Sequence, residues 1–194
     1  MYNVASMALR PVSRGDILTA CRGLGLGLAV LLAGVAPLAA QPKAARQAVI
    51  TLDKGGEIVL ELFPADAPRH VENFARLVGR GFYDGQRFHR VEDWVVQVGD
   101  PQSRTLPMDH PGMGTGGSGD TIKAEFNRRP HERGAVGMAR GNDPDSASSQ
   151  FYIVLKPARG LDGQYTVFGR VTRGMELVDG LRRGDRIKSV KVTD

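Results

Sequence analysis

Cysteine is almost missing: the 194-residue chain has one, Cys21. A single thiol excludes an internal disulfide framework and any structural zinc site built on cysteine pairs. Aromatic residues are sparse at 6%, with one tryptophan, Trp94. Charge of one sign is never concentrated, and basic residues stand singly or in pairs such as Arg128 with Arg129 and Arg182 with Arg183. The formal net charge of +5 therefore lacks the basic run that a nucleic-acid partner would favour. No two of His70, His89, His110 and His131 are spaced as a helical metal pair, and His131 with Glu132 lacks the second histidine of a zinc protease. No metal and no cofactor is implied. The glycine-rich segment 112–117 lacks the Lys-Ser/Thr ending of a nucleotide-binding loop and reads as a mobile loop. Ser118 lies outside a G-x-S-x-G elbow and has no base nearby in sequence, which argues against a hydrolase.

Long apolar runs are also missing, with one exception. Residues 23–40 carry no charge and follow a flank holding Arg10, Arg14, Arg22 and one acid, Asp16. A positive flank, an apolar run and small residues at Ala39 and Ala40 form the pattern of an export signal. The organisation this predicts is a signal over 1–40, a linker over 41–46 and one domain over 47–194, with a periplasmic location. The alternative is an uncleaved anchor in the inner membrane, since 18 apolar residues are barely enough to span a bilayer. Cleavage would leave a chain without cysteine and without stable membrane association, which suits an oxidising compartment. The first 40 residues take +2 of the charge, and the other 154 hold 23 basic against 20 acidic residues.

The rest of the chain is short strands with few helical stretches. Residues 48–52 and 57–62 flank a turn at Asp53, Lys54, Gly55 and Gly56, and the second strand alternates polar and apolar. Asp66 is placed to cap a helix that begins near Pro68, with Val71, Phe74, Ala75 and Val78 on one face and Gly79 and Gly81 at its end. Strands are expected at 87–90, 94–98, 135–139, 150–155, 166–171 and 187–192, a long loop at 100–120, and a second helix over 172–181. Short strands with two helices favour an antiparallel barrel or sandwich over a doubly wound sheet.

One series of motifs runs through these elements in order. It comprises Phe88-His89-Arg90, Trp94-Val95-Val96-Gln97, Gly114-Thr115-Gly116-Gly117, Met138-Ala139-Arg140, Ser149-Gln150-Phe151-Tyr152 and the stretch from Leu161 through Tyr165 to Gly169. Each fragment alone is weak, but in this order and spacing they resemble the cyclophilins, the cyclosporin-binding peptidyl-prolyl isomerases, and in particular their bacterial branch. The resemblance runs from the first hairpin to the last strand. It implies a mainly β fold, a closed eight-stranded antiparallel barrel capped by two α-helices, with the site on the outer face of the sheet. It also implies rotation of X–Pro bonds in exported proteins as they fold, on proline-containing segments of unfolded or folding chains, by a protein with no built-in dimer element.

The residue types suit that reaction. Amide resonance sets a barrier of about 18–20 kcal/mol, and no bond has to break to cross it. In the twisted amide the proline nitrogen regains a lone pair, which a cationic donor can bind. By resemblance, Arg90 is the catalytic arginine, and Gln97 positions it and binds substrate. Trp94, Val95, Tyr152, Leu161 and Tyr165 line the proline pocket. Ala139, Arg140 and Gln150 form the strip for the peptide backbone, with Arg140 acting mainly through its main chain. His89 is expected to be structural, and Phe151 to be core, because Gln150 and Tyr152 take the other face of an alternating strand. There are departures from the family's pattern. The link from Arg90 to Gln97 is one residue shorter and carries Glu92-Asp93 where a proline turn is common. Val98 replaces a glycine, Tyr165 replaces a histidine, and Gly160 stands where a tryptophan gives many members tight cyclosporin binding. A proline-peptide binding module on the same fold, without turnover, is the second reading.

Overall fold

The computed structural model describes residues 46–193. The predicted export signal and the linker before Arg46 lie outside them. Among the described residues no helix is long and apolar enough to cross a membrane.

The chain runs β1 (Gln47–Leu52), β2 (Glu57–Leu62), α1 (Pro68–Gly79), β3 (Arg90–Val91), β4 (Val95–Val98), β5 (Ala135–Met138), β6 (Phe151–Val154), β7 (Val167–Arg173), α2 (Met175–Asp179) and β8 (Ile187–Thr193). All strands join one antiparallel sheet in the order β3-β4-β6-β5-β7-β2-β1-β8. The expectation of a closed barrel is corrected: the sheet is an open half-barrel. Its edges are β3 and β8; the segment before β3 meets 184–187 through the isolated bridge of Arg87 with Arg186 and a few flanking backbone bonds, with no continuous ladder among the described residues. The reason lies in β3, which is two residues long where 87–90 was expected, and so exposes too few backbone groups to support a second ladder. The second helix is also shorter than expected, because β7 continues through Thr172 to Arg173 before Gly174, at φ 85°, turns the chain into α2. The loop after β4 contains a short 3-10 turn, Pro101–Arg104, capped by the Asp100 carboxylate.

Alternation along β6 divides the molecule into two apolar clusters. Phe151 and Ile153 point inward to the main core with Phe74, Leu77, Tyr83 and Phe168. The Phe74 ring meets Phe151 edge-on at 5.5 Å and Phe168 at 5.5 Å, which seats α1 in the concave side of the sheet. Tyr152 and Val154 point outward and join Val95, Ala135, Val167 and Phe63 on the opposite face. That second cluster positions the site.

Asp66 does not cap α1. It accepts instead from Arg129 Nε and Nη2, at 3.1 and 2.8 Å. The orphan N–H groups of the first turn go to a residue far along the chain: the Glu125 carboxylate accepts from Arg69 N and His70 N, both at 3.0 Å, and lies 2.6 Å from His70 Nδ1. Burial pushes the His70 pKa down. Burial alone would raise Glu125, but the bonds from His70 and the two backbone N–H groups outweigh it and hold the carboxyl below its usual range. The folded chain thus resists protons that the unfolded chain accepts, at His70 from about pH 6.5 downward and at Glu125 from about pH 4.5. Stability from this joint is present above those values and is lost as pH falls. The thermal midpoint is expected to drop on acidification from neutral pH to about pH 4, and Glu125→Ala should flatten the lower part of that fall.

Candidate functional site

Antiparallel register places four residues in one row across the outer face. Arg90 on β3 pairs with Gln97 on β4, Gln97 with Tyr152 on β6, and Tyr152 with Gly137 on β5. Directly opposed residues share a face, so one row carries a cation, an amide, a phenol and a gap. The gap is needed: a Cβ on Gly137 would lie 2.3 Å from Tyr152 Cζ and Oη. The Tyr152 ring lies flat where any side chain at 137 would be.

Around this row lies a cavity of about 200 Å³, lined by Arg90, Trp94, Val95, Gln97, Ala139, Arg140, Tyr152, Leu161 and Tyr165. The structure brings together nine of the ten expected site residues. Gln150 is the tenth, and it lines an adjoining cavity of about 300 Å³ with the glycine loop and Ser148; the two cavities share Gln97, Ala139 and Arg140.

Hydrogen bonds run unbroken from the arginine to that loop. Arg90 Nη1 donates to Gln97 Oε1 at 3.3 Å, and Gln97 Nε2 donates to Gln150 Oε1 at 2.8 Å. Gln150 Nε2 donates to the carbonyls of Gly114 and Gly116, at 2.8 and 2.7 Å. The buried Asp100 carboxylate accepts from Gly114 N at 2.6 Å and Gly116 N at 3.3 Å. The segment expected to be a mobile loop is therefore tied down at both its donors and its acceptors. The Gln150 amide group is engaged twice, so of its side chain only an acceptor lone pair is left for a peptide.

The Arg140 side chain is engaged within the chain itself. Its guanidinium lies 4.4 Å from the Tyr165 ring centroid and 5.9 Å from that of Phe126, and it donates to the carbonyls of Gly141 and Gln164. It forms the wall between the two cavities.

Behind the pocket floor, His131 is fully buried. Its Nδ1 lies 2.9 Å from Asp162 Oδ1 and its Nε2 lies 2.9 Å from Tyr152 Oη. Asp162 Oδ1 is placed to accept from Nδ1–H, in the tautomer whose Nε2 accepts from the phenol. Burial pushes the Tyr152 pKa far up, so the hydroxyl stays neutral and keeps donating. Asp162 follows Leu161 directly, so the same link fixes a pocket wall. Sequence reasoning treated His131 as an ordinary lone histidine, and only the fold reveals its two partners. His89 is buried, and burial lowers its pKa. Among the described residues no group of three or more His, Cys, Asp or Glu side chains could hold a metal ion.

The arrangement combines a pocket walled by Trp94, Val95, Tyr152, Leu161 and Tyr165 with a cation at its lip. Residues 48–194 match the family model described as cyclophilin type peptidyl-prolyl cis-trans isomerase/CLD. The chain belongs to the cyclophilin family. It is 44% identical over 144 residues to peptidyl-prolyl cis-trans isomerase B of Bacillus subtilis, covering 73% of this chain and 94% of that one. It is 42% identical over 145 residues to a probable peptidyl-prolyl cis-trans isomerase of Brucella suis, covering 73% and 74%. A cyclophilin of Cryptosporidium parvum has a similar crystal structure, with TM-score 0.67 and 25% identity over 77% of this chain and 98% of that one. The same parasite protein in the presence of the dipeptide Ala-Pro gives TM-score 0.65 at 25% identity, covering 76% and 99%. This cyclophilin is a peptidyl-prolyl cis-trans isomerase, and its substrates are proline-containing peptide segments. One departure from the family's pattern is visible as open space: a Cβ at Gly160 would meet nothing within 4 Å, and the glycine supplies no side-chain wall there.

Proposed function

We propose that Arg90 drives the isomerisation by donating to the prolyl nitrogen as the amide twists. The observation that carries this is the state of its guanidinium. Of five N–H groups, Nε and one on Nη2 go to Glu92 and one on Nη1 goes to Gln97, which leaves one on each terminal nitrogen at the cavity. The proline ring sits between Trp94, Val95, Tyr152, Leu161 and Tyr165, and the peptide backbone follows Ala139, Arg140 and Gln150. Planar amide nitrogen offers no lone pair, so the donor gains a partner only in the twisted state. That is binding selective for the transition state. The Ala-Pro dipeptide used with the parasite cyclophilin supports an X–Pro occupant here. A protease-coupled assay on an Ala-Pro peptide tests the activity: turnover well above the spontaneous rate, which takes on the order of 10–100 s, is expected. A rate equal to the spontaneous one overturns it.

The physiological reading is an exported, monomeric isomerase acting on folding envelope proteins. It rests on the basic flank and the uncharged run over 23–40. Mass spectrometry of the N-terminus after cell fractionation tests it. A periplasmic form beginning after Ala40 is expected, and a mature protein retaining Met1 in the cytoplasm overturns it.

A further inference from the structure

Glu92 belongs to the turn where this chain departs from the family's usual pattern, and it touches the site directly. Arg90 stands on β3, and Glu92 and Trp94 lie in the turn that follows, where both side chains reach the Arg90 guanidinium. The tight turn that closes with Glu92 N bonded to Val95 O at 2.9 Å keeps them there. Glu92 Oε1 accepts from Arg90 Nε at 2.7 Å and Oε2 from Arg90 Nη2 at 3.2 Å, the two-point fork of a guanidinium and a carboxylate. Oε2 also accepts from Trp94 Nε1 at 2.8 Å. The Arg90 guanidinium lies 5.2 Å from the Trp94 ring centroid. The neighbouring Asp93 is engaged elsewhere, by Lys156 at 2.8 Å. One carboxylate thus holds both the cation and an aromatic wall of the proline pocket.

The need for a clamp follows from position. Arg90 sits on a two-residue edge strand and its side chain is 40% exposed. A free arginine there would spread over many rotamers. Gln97 alone restrains it by one bond of 3.3 Å. We propose that Glu92 is a positioning residue for catalysis, one that fixes the plane of the Arg90 guanidinium so that its two remaining N–H groups face the proline cavity. The proposal rests on the reading of Arg90 as the donor. The Arg90 bond holds Glu92 below the usual carboxylate range, so the clamp stays charged at neutral pH.

The test compares wild type, Glu92→Ala, Glu92→Gln, Arg90→Ala and the Arg90→Ala/Glu92→Ala double variant in the protease-coupled assay, with kcat and KM separated. An exposed pair of this kind corresponds to about fivefold, and that loss is expected in kcat for Glu92→Ala, while any rise in KM reads the freed Trp94 wall. Glu92→Gln, which keeps one acceptor oxygen at the same reach, should fall between. The double variant should match Arg90→Ala alone. In ¹⁵N spectra the Arg90 Nε–H should exchange faster with water in Glu92→Ala than in wild type. An unchanged or raised kcat in Glu92→Ala, or a double variant with a lower kcat than Arg90→Ala, overturns the proposal while leaving the donor reading intact. Wild-type turnover in Arg90→Ala overturns the donor reading itself, and the clamp with it.

Discussion

Arg90→Ala is expected to lower kcat/KM by about 10²–10³ while the fold is retained. The magnitude is that of removing one preorganised donor from a developing charge. It falls on kcat, because the planar ground state offers the prolyl nitrogen's lone pair to no one. KM should change little, since the pocket walls Trp94, Val95, Tyr152, Leu161 and Tyr165 remain. Stability should also change little. The ion pair with Glu92 is 40% exposed on one side and 44% on the other, and exposed pairs contribute about 0–1 kcal/mol. Thermal unfolding followed by circular dichroism separates the two effects. Arg90→Lys sharpens the test: lysine keeps the charge but cannot hold the Glu92 fork and donate to substrate with fixed geometry, so most of the loss should persist. Full activity in Arg90→Lys would show that charge alone suffices.

What could be read from the residues follows from the range of each signal. Period-two alternation is local, so the assignment of Phe151 to the core and Tyr152 to the site face needed only the strand around them. The ordered motifs carried the nine residues around the proline cavity. Long-range partners left no local mark. Glu125 satisfies the start of α1 from more than 50 residues away, and nothing near Pro68 favours it over Asp66. The link from exposed Asp162 through buried His131 to Tyr152 joins three segments that are unremarkable by themselves. Closure of the sheet was overread: counting strands says nothing of whether a two-residue edge can pair twice. Glu92 was visible as a departure, yet its grip on Arg90 and Trp94 appears only once the turn is built.

Gly137→Ala should damage binding and stability together. An ideal Cβ there falls 2.3 Å from Tyr152 Cζ and Oη and 2.6 Å from Cε2, against an optimal carbon contact of about 3.5–4.0 Å. The ring must move by more than an ångström, and its choices are limited. Behind it stands His131, fully buried and bonded to the hydroxyl at 2.9 Å. In front lies the proline cavity of about 200 Å³. Outward movement enters the cavity and strips His131 Nε2 of its donor. Overpacking of this kind costs about 1–3 kcal/mol, and a domain of this size loses about 2–4 °C of thermal midpoint per kcal/mol. The binding loss follows from the substrate side. A proline ring carries three methylenes, each worth about 0.8 kcal/mol when buried, so complete exclusion corresponds to about fiftyfold in KM. A partly displaced ring gives about tenfold. The pattern is opposite to that of Arg90→Ala: KM rises while kcat on bound peptide is largely kept, because Gln97 lies two strands from Gly137 and Arg90 three. An unchanged KM with an unchanged thermal midpoint would mean that Tyr152 yields without entering the pocket, and that Gly137 does not shape it.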